Sequence, residues 1–458
     1  MMKITVINGS PKGENSITFQ SIRYLQKHFP QDDFTVFHVG QKIKIIEKDK
    51  DRFENVILSI IESECILWCY PVYTALVPYQ LVRFIELIFE NQKESFFMGK
   101  YSTQISSSKH FYDHTAYNYI HNISEDLGMK HLNGLCTDME DLTTKKGRKC
   151  IICLGEYLHN SIESSSPVSQ KYLPVKYTYR EYIPSSSLRN LPVTENHSIV
   201  LVTDCREEDN NLSRMIETYK KFLPENLQII NIGDFNFQGG CLGCFQCAFE
   251  GTCVYNDGFE SLHKDTIMKA DCVIIAAALN RHWFNSIWKC YDDRQFYNGH
   301  RTNMMGKCIG YIISGPLRQE PNIREILEAR SEVAQLFLLD IVTDEYDSNE
   351  QITALLENMA QKTVWVIKNK PLHPQNFLGV GGMKIFRDMI YIMRGLMQED
   401  HKFYKKHGFY DFPQKKKREI VFMKLAGLLM KSNKFRKKAA NFMNKSMLKK
   451  YNKIIENY

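Results

Sequence analysis

Strand-like runs alternate with helical stretches along most of the chain, and this alternation restricts the fold more than any single residue does. Residues 3–7 form a β-rich apolar run, closed by Asn8-Gly9-Ser10-Pro11-Lys12-Gly13 and followed by a helix-like stretch at 16–28. Residues 34–39 read as a second strand, 52–61 as a helix, 65–69 as a buried strand and 77–89 as an amphipathic helix. Segments 101–108, 115–127, 132–136 and 143–158 continue the order. Parallel strands joined through helices need right-handed crossovers, which cover both faces of the sheet. A Ser/Pro-rich stretch at 162–197 breaks the rhythm and reads as a linker. The pattern then restarts, with strands at 198–203, 227–230, 272–275 and 308–313 and helices at 211–222, 323–337 and 350–367. The expected fold is α/β: two tandem, doubly wound parallel sheets of five strands each. The expected domains are 1–161, a linker at 162–197, 198–370, and a basic, Met-rich helical extension at 371–458.

Apolar residues make up 43% of the 458 and charged residues 24%, an ordinary globular balance that excludes a disordered or collagen-like chain. No run of 18 apolar residues occurs, so no membrane-spanning helix is expected. The first residues turn polar at Asn8-Gly9-Ser10, too early for a signal peptide, and the expected address is cytoplasmic. There, thirteen cysteines point to metal or redox work more than to a disulfide framework. The net charge of +7 hides two regimes. Residues 384–458 hold 16 Lys and 4 Arg against 3 Asp and 3 Glu, a local +14, leaving −7 on residues 1–383. The body therefore gives no electrostatic reason to expect nucleic acid, and only the tail would seek an anionic partner.

The first loop, Gly9-Ser10-Pro11-Lys12-Gly13-Glu14-Asn15-Ser16-Ile17-Thr18, lies between a strand and its helix. A helix N-terminus there offers unpaired N–H groups to a phosphate, with Ser10, Ser16 and Thr18 hydroxyls, the Asn15 amide and the Lys12 charge beside it. A plain turn with a capping Ser or Asn is the alternative. The run resembles the phosphate loop of the flavodoxin-like NAD(P)H-dependent FMN reductases. Cys69-Tyr70-Pro71-Val72-Tyr73 is similar to that family's Pro-x-Tyr loop beside the isoalloxazine, and Ser106-Ser107-Ser108-Lys109-His110 falls where the family has its other flavin-facing loop. The resemblance covers residues 3–160 and implies FMN held by Ser10, Lys12, Asn15, Ser16 and Thr18. Pro71, Val72, Tyr73, Thr74, Ser107, Ser108 and His110 would then flank the ring, with NAD(P)H as electron donor.

The sharpest motif is Cys241-x2-Cys244-x2-Cys247-x5-Cys253, set among glycines. Four thiolates are the usual ligands of a [4Fe–4S] cluster. Zinc also takes four cysteines, more often as two separated pairs, and stays open as the alternative. The surroundings, Asn231–Phe235 before the motif and Asn256-Asp257-Gly258-Phe259 after it, resemble the iron–sulfur flavoproteins over residues 198–367. Two departures matter. At the second phosphate-loop position stands Thr203-Asp204-Cys205-Arg206-Glu207-Glu208-Asp209, whose four carboxylates repel an anion, and the Pro-x-Tyr loop becomes Leu279-Asn280-Arg281-His282-Trp283. The first unit, conversely, has no cysteine motif.

In the iron–sulfur flavoproteins the cluster of one subunit approaches the FMN of its partner. The resemblance thus implies a fused pseudo-dimer keeping one site of each kind, an NAD(P)H-dependent FMN oxidoreductase passing electrons between FMN and a [4Fe–4S] cluster. A non-enzymatic electron carrier and a zinc-stapled scaffold are the other classes the residues allow. No side chain need act as acid or base, so none is named as catalytic. Cys150 and Cys153 read as packed thiols, and His110 and His114 as either flavin edge or loop polarity. Trp283, Trp288 and Tyr291 read as pocket wall or packing. The tail is expected to pack on the body as helices or to lid the flavin; anionic lipid and an acidic electron-transfer partner are the alternatives. The acceptor is a small molecule or a protein, and homo-oligomers are compatible with the sequence.

Overall fold

The computed structural model describes residues 1–184, 197–206, 210–223, 227–432, 448–449 and 451–456. The first lobe runs β1 (Lys3–Asn8), α1 (Ile17–His28), β2 (Asp33–Phe37), α2 (Val39–Ile46), α3 (Lys50–Glu62), β3 (Cys65–Pro71), α4 (Tyr79–Glu90), β4 (Tyr101–Ser108), α5 (Asp113–Asp126), β5 (Lys130–His131), β6 (Leu135–Asp138) and α6 (Lys145–Glu163). Its sheet is parallel in the order β2-β1-β3-β4-β5, and β6 also pairs with β4. It therefore has six strands, not the expected five. The fifth position is split where a Cβ at Gly134 would run into the Gln104 backbone and the Gly134 N–H bonds to Tyr117 Oη instead (2.8 Å). Residues 38–46 also depart from expectation. Val39, Ile43 and Ile46 repeat at helical spacing and are buried, so the strand stops at Phe37 and α2 begins.

The second lobe repeats the plan with β7 (Ile199–Thr203), α7 (Asn211–Phe222), β8 (Leu227–Asn231), α8 (Gln246–Glu250), α9 (Phe259–Leu262), β9 (Cys272–Ala278), α10 (Ser286–Arg294), β10 (Cys308–Ser314), α11 (Pro321–Val333), β11 (Phe337–Thr343) and α12 (Asn349–Asn369). Its five parallel strands lie in the order β8-β7-β9-β10-β11. This is the same doubly wound order, with the switch point beside the first strand. Both folds are flavodoxin-like. Between β8 and β9, where the first lobe has α2 and α3, the second lobe carries the cysteine loop.

The outer faces of the two sheets have separate apolar cores, whereas the inner faces share one, joining Leu81, Phe84 and Ile88 to Trp283, Trp288 and Ile323. Across it α4 packs on α10 and α5 on α11, each helix against its own counterpart. The helix ends are exchanged as well. Asp293 Oδ2 accepts from the Tyr79 N–H at the start of α4 (2.8 Å), and Glu86 Oε1 accepts from the Ser286 N–H at the start of α10 (2.6 Å). The two carboxylates occupy equivalent places, each two turns into its helix, so the contact is isologous in form within one chain. The altered loop of the second lobe serves this contact. Arg281 stacks on Phe89, and His282 bridges Asp126 of α5 (3.1 Å) and Glu320 (2.8 Å).

The stretch read as a linker has no regular element over 164–184 but is pinned to both lobes; residues 185–196 lie outside the described part. Glu125 accepts from the Lys171 and Tyr172 N–H groups, and Tyr182 is fully buried in the second lobe with its hydroxyl 2.8 Å from Thr353 Oγ1. Beyond α12 come α13 (Phe377–Ile392), α14 (Gln398–Lys406) and α15 (Lys417–Leu429). Residues 1–401 form one compact body, which includes α13 on α11, and 402–458 form another.

Candidate functional site

The loop after β1 is built to stay open. Asn8, fully buried, accepts from the Ser10 N–H (3.1 Å) and donates to Gly13 O (3.0 Å), fixing the turn. Gly13 takes φ +54°, and Gly40 lets α2 come so near that a Cβ there would strike Gly9 O. Among the described residues no side chain caps α1 and no acid stands in its first turn, which leaves the start of the helix open toward the loop. Ser10, Ser16 and Thr18 are buried around that end, with Thr18 Oγ1 bonded to Ser107 Oγ. The counterpart in the second lobe is closed. Asn210 Oδ1 accepts from Ser213 N–H (2.8 Å) and Ser213 Oγ from Asn210 N–H (3.1 Å), a complete capping box. Asp204 there takes the Trp288 Nε1–H (2.7 Å) and the Asn285 amide; residues 207–209 lie outside the described part.

The Pro-x-Tyr loop is held from the other lobe. Lys289, wholly buried on α10, donates to Tyr73 O (2.9 Å) and pairs with Asp293, which also accepts from Thr74 Oγ1 (3.2 Å). Burial pushes the Asp293 carboxyl up to about 6, against the pull of Lys289. Burial likewise raises the Tyr73 phenol well above its ordinary range.

The cysteine loop is closed at its base by Arg294. Its guanidinium donates to both oxygens of Asp257 (2.6 and 2.8 Å) and to Gly239 O (3.1 Å), and stacks on Tyr255. Burial opposes ionisation of Asp257, but these bonds and the Gln238 N–H hold its carboxyl at about 2. Gly243 (φ +63°), Phe245 (φ +68°) and Gly251 (φ +71°) fold the loop back on itself, and Gly243 N–H donates to Cys241 Sγ (3.3 Å). Burial raises the Cys241 thiol and pushes Cys247 up to about 11. Among the described residues no three His, Cys, Asp or Glu side chains are set to grip a single ion.

One cavity of about 560 Å³ joins these parts. Ser10, Lys12, Ser16, Thr18, Pro71, Val72, Tyr73, Thr74, Ser107 and Ser108 line it from the first lobe, and Cys241, Cys244, Cys247 and Cys253 from the second. The loops touch: a Cβ at Gly243 would meet the Tyr73 hydroxyl and lie 3.1 Å from Lys12 Cε. Asn15 is exposed and His110, paired with Asp113 (2.7 Å), turns outward, so neither lines the cavity.

Residues 2–137 match the family model of the NADPH-dependent FMN reductases. Over those residues the first lobe is similar to that family. Solved structures similar to the chain include an NADH:FMN oxidoreductase, at 16% identity over 38% of this chain and 95% of its own, with a TM-score of 0.32. A flavoenzyme NAD(P)H:(acceptor) oxidoreductase from Paracoccus denitrificans has 16% identity over 36% and 98%, TM-score 0.31. An FMN-dependent NADH-azoreductase from Bacillus anthracis, in complex with FMN, has 11% identity over 34% and 99%, TM-score 0.29. No curated protein matches the chain in sequence. The FMN reductase lobe makes the protein an NAD(P)H-dependent FMN oxidoreductase, and its open loop, uncapped helix and buried hydroxyls fit a flavin phosphate.

Several wall residues escape the sequence pattern. Phe111 and Tyr112 follow β4 of the FMN reductase lobe, Phe296 sets its edge on Tyr73 (5.4 Å), and Phe386 of α13 stacks on Phe111 (4.1 Å). Their signal was aromatic residues near a loop, which packing explains equally well. Trp288 and Tyr291 line the cavity, while Trp283 is buried beside it. Cys150 and Cys153, expected to be packed, are exposed on α6. His114 pairs with Glu325 (2.8 Å).

Proposed function

We propose that the FMN reductase lobe works with a cysteine-ligated [4Fe–4S] cluster held by the second lobe, both opening on one cavity. When bound, FMN supplies hydride uptake from NAD(P)H and the cluster supplies one-electron transfer. The observation that carries the reading is the shared cavity, with Gly243 of the cysteine loop against Lys12 and Tyr73 of the flavin loops. Ser10, Lys12, Ser16, Thr18 and the start of α1 hold the phosphate. Pro71 to Thr74 and Ser107–Ser108 border the ring, and Lys289 and Asp293 keep the first of those loops in place. Phe386 and Met389 of α13 close the cavity against water.

Cys241, Cys244, Cys247 and Cys253 are the ligands. The four thiols along the cavity and the backbone N–H on Cys241 Sγ support a thiolate-held cluster, whose sulfurs also accept such bonds. The purified protein should show flavin bands with a broad shoulder in an anaerobic spectrum, and about four irons with matching acid-labile sulfide per chain. Flavin with one zinc and no iron overturns the cluster, and absence of flavin overturns the site. Lys12→Glu should remove flavin and leave iron in place; the reverse loss refutes the division of labour.

A further inference from the structure

The second compact body carries an exposed apolar surface. In α15 no residue is buried. Val421, Phe422, Leu425, Leu428 and Leu429 recur at i, i+1, i+4, i+7 and i+8, which places them on one face, and each is more than half exposed. Ile420 and Met423 fall on the other side and are exposed too (39% and 67%). Basic residues frame the stripe. Lys415-Lys416-Lys417-Arg418 precede it, and Lys417, Lys424 and Lys431 follow one another every seven residues along its edge, against the single acid Glu419. Further on, Leu448, Tyr451, Ile454 and Ile455 are again exposed, interleaved with Lys449 and Lys453.

We propose that α15 attaches the protein to an anionic lipid surface, lying in the plane of the headgroups with its stripe among the acyl chains. Thirteen residues give a helix of about 20 Å, too short for a hydrocarbon core of about 30 Å. No helix among the described residues is long and apolar enough to cross a membrane. The occupant follows from the charge and from the spread of apolar groups. A second copy would bring two basic helices together and repel. A nucleic acid would satisfy the cations and leave the stripe in water. A protein groove would bury one face and leave Ile420 or Met423 outside. An acidic lipid interface takes the apolar face, tolerates the rest in its fluid boundary and pairs the lysines with phosphates.

The test is sedimentation of the full chain with vesicles of phosphatidylcholine alone or with about one third phosphatidylglycerol. The protein should pellet with the anionic vesicles and hardly at all with the neutral ones, and high salt should release most of it. Leu425→Asp with Leu428→Asp should cut the bound fraction about tenfold. Lys416→Glu with Lys417→Glu should weaken binding by a comparable factor. All four positions are exposed, so the variants should keep the wild-type absorption spectrum, which serves as the check on folding. Equal binding to both vesicle types, no binding, or binding untouched by either pair overturns the proposal. So does a stable dimer that the Asp pair dissociates, or capture of polyuridylic acid with no vesicle binding.

Discussion

At Gly243 the demands of backbone and packing coincide. Its φ of +63° costs an L-residue about 1 kcal/mol, and a Cβ would also push on Tyr73 and Lys12. Gly258, at φ +82°, carries the same backbone demand with no atom within 4 Å of the missing Cβ. The pair separates strain from contact. Gly258→Ala should destabilise the fold by about 1 kcal/mol in urea, and Gly243→Ala by more than that, since the clash adds to the backbone cost. Only Gly243→Ala should change the visible spectrum per chain, because only it shifts the cysteine loop against the flavin loops. Identical spectra for the two variants would show that the loops do not share a working contact. The same logic explains why Lys12 matters more than Asn15, although both belong to the loop and both are exposed: Lys12 lines the cavity, whereas Asn15 is off its wall.

Among elements, the exchange of helix caps between α4 and α10 sets how the lobes meet. The two carboxylates do not carry equal weight. Asp293 also neutralises Lys289, and neither side chain has any exposure, so Asp293→Ala leaves a buried cation alone and should cost on the order of 3–5 kcal/mol. Glu86 is shared with Arg83, which keeps Glu90 and Glu47 as partners, so Glu86→Ala should cost about 1–2 kcal/mol, the scale of a lost cap. Urea midpoints of the two variants check the order; equal losses would mean that the caps, not the buried pair, dominate. Such couplings mark the limit of what the chain reveals on its own. The parallel alternation, both strand orders' building blocks and the loops at the strand ends are legible because strand and helix periods are local. The extra helix α2 is hidden because Val39 continues a β-rich run and only Ile43 and Ile46 disclose the longer period. The six-strand count depends on Gly134 meeting Gln104 from another strand. Glu86 and Asp293 look like ordinary helical acids, since each takes its meaning from a helix start some 200 positions away. Likewise four close cysteines announce a centre, but not that their loop would rest on Lys12.

For the whole molecule, the union of the lobes should depend on pH through His282. The imidazole is 5% exposed and lies between Asp126 of the first lobe and Glu320 of the second. Burial opposes its charge, but the two carboxylates outweigh that and raise it to about 9 from an ordinary 6.5. A raised histidine stabilises the folded state fully below pH 6.5, where both states are protonated, and the contribution fades as pH climbs through 9. Its full size is on the order of 3 kcal/mol, since each unit of displacement is worth about 1.4 kcal/mol. His263, which burial lowers to about 4, acts at the other end, where stability falls as pH drops from 6.5 toward 4. The wild type should therefore be most stable near neutrality and lose resistance to urea between pH 7 and 9. His282→Gln keeps hydrogen-bonding capacity without the titration, and should be weaker at pH 6 yet nearly flat over the alkaline range. Trp283, its buried neighbour, gives the readout, because its fluorescence shifts red once the contact between lobes admits water. Equal alkaline slopes for the two proteins would remove His282 as the pH-sensitive tie. A steeper slope in the wild type would mean that the seam enclosing the cavity loosens on deprotonation of a single ring, with cofactor retention following the same curve.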